Sequence, residues 1–168
     1  VFAAVPARAQ YYSTGEDPSR LKWNRIQAGS LQVVYPRGLD SLAFRYAWLL
    51  EQAAPPVMST LGSSAPSLSV IIRPYNVNSN GMVVWAPKRM ELFTTPPSSG
   101  TMHNWEKQLV VHELRHVAQM HRAGEHFFRV FGWLFGQQSE GISVGLYFPK
   151  WLLEGDAVIT ETVHSYAG

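Results

Sequence analysis

Hydrophobic and polar positions along the chain predict a sheet followed by helices. After an irregular start, Ser30 to Tyr35 reads as a strand that Pro36-Arg37-Gly38 ends. Asp40 then caps a helix whose apolar positions Leu42, Ala43, Tyr46, Leu49 and Leu50 share one face, and Pro55-Pro56 is expected to stop it. Ser67 to Arg73 alternates, with Leu68, Val70 and Ile72 facing one way. Met82 to Trp85 and Met90 to Thr94 read as two further strands, joined by Ala86-Pro87-Lys88-Arg89 with proline at the second turn position. The period then changes. Trp105, Leu109, Val110, Leu114 and Val117 recur at helical spacing, Asn104 offers an N-cap, and Gly124 closes the segment.

The stretch His112-Glu113-Leu114-Arg115-His116 lies inside that helix. Residues four apart share a helix face, so both imidazoles can reach one metal ion, with Glu113 beside it as a base for a water activated there. Two histidines do not complete a catalytic zinc site, which takes three protein ligands and keeps one position open. One known arrangement places a third histidine ten residues after the first; position 122 is Arg, and His121 is out of register by one, so that class is rejected. The better candidate is Glu154, an apolar-flanked carboxylate in Trp151-Leu152-Leu153-Glu154-Gly155-Asp156-Ala157 on a second helical stretch.

Those two segments together resemble the gluzincin metallopeptidases (peptidase MA-like), whose His-Glu-x-x-His is followed at variable distance by Trp-Leu-x-Glu-Gly-x-Ala. The likeness extends to Tyr12 to Glu16, Leu21 to Trp23, Asn80 to Pro87, Met90 to Pro97 and Trp151 to Thr162. These are similar to the N-terminal region of large exported bacterial proteins in which such a domain precedes a β-propeller-type region. The resemblance implies a zincin-like α+β fold: a small mixed β-sheet with an edge strand at the cleft, then an active-site helix and a second ligand-bearing helix. Arg89 to Thr95 is the candidate edge along which an extended peptide would pair, with a plain structural hairpin as the other reading. The resemblance also implies Zn²⁺ held by His112, His116 and Glu154, Glu113 as general base, a peptide or protein substrate, and contact with a C-terminal domain outside this chain. One position departs from the family pattern. The accessory acid usually found one turn beyond the glutamate ligand would be residue 158, which is Val.

Composition narrows the remaining classes. A 168-residue chain with 46% hydrophobic residues fits one domain, taken as 10–168, with residues 1–9 read as a signal-peptide remnant ending in the small-x-small pair Ala7 and Ala9. That remnant points to an exported protein: periplasmic, cell-surface or secreted. The absence of cysteine removes disulfides, thiolate ligands, thiol nucleophiles and a lipidated N-terminus. A net charge of +2 with dispersed basic residues gives no support to nucleic acid binding, and no apolar run is long enough to span a membrane.

Other residues carry open assignments. Asp156 and Glu161 are candidates to hold the distal N–H of a ligand histidine. His164, Tyr166, Tyr147 and Arg115 are candidate oxyanion donors, although Arg115 falls off the ligand face and suits a salt bridge better. His103, His121 and His126 read as surface or capping residues. The aromatic run Phe127 to Phe135 suits packing between the ligand helices, docking of a neighbouring domain or contact with a membrane surface. Gly136 to Gly145 reads as a flexible excursion near the site mouth. Two functions follow: an exported zinc metallopeptidase, or a metal-binding, peptidase-like module with a structural or binding role beside a larger partner domain.

Overall fold

The computed structural model describes residues 17–84, 86–98, 104–124 and 148–166. The expected signal remnant, the aromatic run 127–135, the glycine-rich stretch 136–145, and His103, His126 and Tyr147 lie outside these residues, as does the side chain of Tyr166. Five strands and three helices are described: β1 (Trp23–Ala28), β2 (Leu31–Pro36), α1 (Asp40–Ser59), β3 (Leu68–Arg73), β4 (Ser79–Val84), β5 (Arg89–Thr94), α2 (Trp105–Gly124) and α3 (Lys150–Tyr166). The fold class is α+β, with one mixed sheet in the order β1-β2-β3-β5-β4. β2, β3 and β5 run parallel, while β1 and β4 are antiparallel to their neighbours at the two edges.

Register explains why the sheet holds together. Ile26, Val33, Val70, Met90 and Val83 are paired in turn across all five strands, so one apolar row crosses the whole sheet. Leu31, Tyr35, Leu68, Ile72 and Leu92 extend the same buried face. Period-two alternation sends these side chains toward α1 and α2. There they meet Ala43, Tyr46, Leu50 and Val57 of α1 and Val110, Leu114, Val117 and Ala118 of α2. α3 packs on α2 and turns Trp151, Leu152, Val158, Ile159 and Val163 to solvent. Among the described residues, no helix is long and apolar enough to cross a membrane.

Four local expectations change. β1 was missing from the sequence reading because only Ile26 and Ala28 supply apolar alternation; its pairing comes from a two-residue hairpin loop, Gly29-Ser30. Gly29 has φ +59 and, among the described residues, no non-glycine takes positive φ, the pattern of a type II′ turn with glycine first. Asp40 is the first helical residue rather than the cap: Leu39 holds that position without a side-chain bond, and the Asp40 carboxylate accepts from Tyr35 Oη at 2.8 Å. That bond pushes the Tyr35 phenol above its ordinary pKa. α1 also continues through Pro55 and Pro56 to Ser59. The carbonyls deprived of partners belong to Glu51 and Gln52, both exposed, while buried Val57 and Met58 anchor the last turn in the core.

The fourth change concerns the edge. Of the two readings of Arg89 to Thr95, the structural hairpin is the one found: β5 lies between β3 and β4, and β4 is the outer strand among the described residues. Inward-facing Met90 and Leu92 fill a central position that Gly81 and Val83 of β4 could not fill. On the opposite face of β5, Glu91 is buried because Arg73 Nε and Arg89 Nε donate to its two oxygens at 2.5 and 2.6 Å. The polar start of β4, Ser79-Asn80-Gly81, suits the rim. The Ala86–Pro87 peptide bond in the connecting turn is cis.

Candidate metal centre

α2 begins where Asn104 Oδ1 accepts from the Lys107 amide at 3.4 Å, an N-cap at the expected residue. From that start, one face carries Val110, Leu114 and Val117 into the core and an adjoining face carries His112 and His116 toward α3. Glu154 comes from the first turns of α3. His112 Nε2 and His116 Nε2 are 3.2 Å apart, and Glu154 Oε2 lies 3.5 Å from the first and 3.6 Å from the second. The rings meet edge to face at 79° with centroids 4.9 Å apart. Three donors around one tetrahedral zinc, each about 2.0–2.2 Å from it, would be separated by about 3.4 Å. The triangle has the size that a zinc ion requires.

Its chemistry agrees with its size. His112 Nδ1 faces Glu161 Oε2 at 3.1 Å, and His116 Nδ1 faces Gln119 Oε1 at 3.0 Å. Both partners are acceptors, so the tautomer with the proton on Nδ1 satisfies each contact and leaves Nε2 a bare lone pair. In that tautomer two lone pairs and a carboxylate oxygen converge within 4.8 Å of one another, a set suited to a cation.

Of the two acids considered for the outer role, Glu161 takes it, two helical turns beyond Glu154 rather than one. Val158, at the one-turn position, points to solvent. Asp156 instead accepts from Arg115 Nε at 2.6 Å and Arg115 Nη2 at 2.7 Å, and from Gln119 Nε2 at 2.7 Å. The Arg115 bonds foremost hold its carboxyl below the usual carboxylate range. Arg115 Nη1 also donates to Thr60 Oγ1 at 2.5 Å, tying the end of α1 to α3. The expected salt bridge is therefore present, and the oxyanion candidate Arg115 is withdrawn from the cleft. His164, half-buried on α3, is the described candidate that stays available. His121 is half-buried rather than on the surface, with Nδ1 2.7 Å from Ser63 Oγ.

Glu113 points off the ligand face toward β4 and is 3% exposed. A β-carbon built on Gly81 would fall 2.5 Å from its Cγ and 2.7 Å from Cδ and Oε1, so the close approach requires glycine there. Burial first, and then the neighbouring Glu154 charge, push the Glu113 carboxyl up to about 8. A carboxyl in that range can both take and return a proton near neutral pH. Two participants were missed in the sequence. Gln119 has no ligand chemistry to single it out, but its place one turn after His116 marks it as a neighbour of that ring. Gly81 carried no local signal.

No protein-family model matches the chain, and comparisons with curated proteins and with solved structures give no significant match. The likeness to gluzincins rests on the motif residues themselves.

Proposed function

We propose that the chain is a zinc-dependent metallopeptidase domain of zincin-like, gluzincin type. The observation that carries this reading is the triangle of His112 Nε2, His116 Nε2 and Glu154 Oε2, 3.2–3.6 Å on a side, with a buried carboxyl on the residue next to His112. His112, His116 and Glu154 would hold the metal. Zinc, when bound, supplies a Lewis acid that brings the pKa of a water toward about 7 and polarises a carbonyl. Glu113 takes the proton from the attacking water and returns it to the leaving amine nitrogen. Glu161 and Gln119 keep both rings in the tautomer that presents Nε2. The outer edge of β4 offers backbone groups with which an extended peptide can pair, beside Glu113.

A second reading, a metal-binding module with little turnover, is favoured by one observation. Glu113 lies almost wholly beneath β4, so a water reaches it only after local movement. Zinc content and hydrolysis of a quenched peptide library, measured for the wild type and Glu113→Gln, separate the two. About one zinc per chain with turnover lost in the variant supports the peptidase. Zinc in both with equal, background hydrolysis supports the module.

A further inference from the structure

Gln119 stands between His116 and the Arg115–Asp156 pair. Its Oε1 faces the ring Nδ1 at 3.0 Å, while its Nε2 donates to Leu153 O at 3.0 Å and to Asp156 Oδ2 at 2.7 Å. An amide turned the other way would offer N–H to Nδ1, drive the ring proton onto Nε2 and remove the lone pair that faces Glu154. With two acceptors on the nitrogen side, that rotation would set oxygen against oxygen twice. Asp156 is in turn fixed by two N–H groups of Arg115, which is 6% exposed.

We propose that Gln119 is a positioning residue for His116, and that the Arg115–Asp156 pair serves the metal centre by fixing which end of the Gln119 amide meets the ring. This rests on the metal-site reading above. It gives the two histidines different supports: a carboxylate behind His112 and a neutral amide, oriented from α3, behind His116. It also makes the α2–α3 contact part of the site, because Leu153, Asp156 and the ligand Glu154 arrive together on one helix.

The test measures zinc affinity of the full chain by competition with a chromophoric chelator. Alongside it are recorded the visible spectrum of the cobalt-loaded form and the thermal melting of the metal-free form. Gln119→Leu removes the acceptor, and Gln119→Glu sets a carboxylate against Asp156 and Leu153 O. The expected result for each is zinc binding weaker by about 10- to 100-fold, with an altered cobalt spectrum. Asp156→Asn removes one of the carboxylate oxygens that hold Arg115 and the amide nitrogen of Gln119, and is expected to weaken zinc binding in the same direction as Gln119→Leu. Wild-type affinity and spectrum in Gln119→Leu or in Asp156→Asn overturns the proposal. So does an affinity loss that only tracks a lower metal-free melting temperature. A wild type that binds neither zinc nor cobalt removes the metal reading itself, and this proposal with it.

Discussion

A β-carbon on Gly81 would sit 2.5 Å from Cγ of Glu113, so the outer strand and the residue beside the metal triangle share one tightly fitted contact. Gly81→Ala therefore displaces Glu113 without touching a metal donor. We expect zinc content to stay at the wild-type level while kcat falls by about 10- to 100-fold, the scale on which a shift near 1 Å acts on a reacting group. Stability is expected to drop by about 1–3 kcal/mol from overpacking. Steady-state kinetics, metal analysis and urea unfolding check the three parts. Unchanged kcat and unchanged stability together would mean that β4 yields freely at this point.

Arg115 is the most connected buried charge described near the centre, bonded to Asp156 twice and to Thr60. Removing it leaves Asp156 without its countercharge and loosens α3 from the end of α1. Arg115→Leu is expected to cost about 2–5 kcal/mol in urea unfolding, toward the lower end because Asp156 is partly solvated. Arg115→Lys keeps the charge without the two-bond fork and should recover only part of this. Equal stability of wild type and Arg115→Leu would show that the helix contact is apolar in origin.

Glu161 and Glu154 both approach His112, but from opposite ring nitrogens. The distinction predicts different losses. Glu161→Gln keeps all three donors and should weaken zinc binding by about 10- to 100-fold, whereas Glu154→Ala should weaken it beyond that range. Isothermal titration of zinc into both variants decides the order. A larger loss at Glu161 would mean that it, not Glu154, completes the site.

What the sequence revealed, and what it hid, follow from the range of the interactions involved. The helix carrying His112 and His116 was legible because its signals are local: a cap at Asn104, a 3.6-residue apolar period and two imidazoles one turn apart. The Leu68–Arg73 strand was legible for the same reason, since its inward side chains alternate without exception. The pairing of Arg115 with Asp156 and of Gln119 with His116 through a fixed amide depends on how α3 docks, and no single segment encodes that. Pro55-Pro56 misled because a local rule lost to burial of Val57 and Met58. β1 escaped notice because four of its six residues are polar or exposed and its partner strand supplies most of the buried surface.

Of the two readings of Arg89 to Thr95, the edge reading had the greater bearing on function, and the strand order that replaces it can be tested without any activity. β5 is bonded on both sides, to β3 and to β4, whereas among the described residues β4 pairs with β5 alone. Amide exchange depends on opening, and a strand held on one side opens at lower free energy than one held on both. In native-state hydrogen exchange, amides of Met90 to Phe93 should exchange at least about tenfold more slowly than those of Asn80 to Val83. If an extended peptide pairs with the outer edge, an unreactive peptide analogue should slow exchange in β4 and leave β5 unchanged. Slowing confined to β5 would place the binding edge elsewhere, and equal protection in both strands without ligand would contradict the strand order.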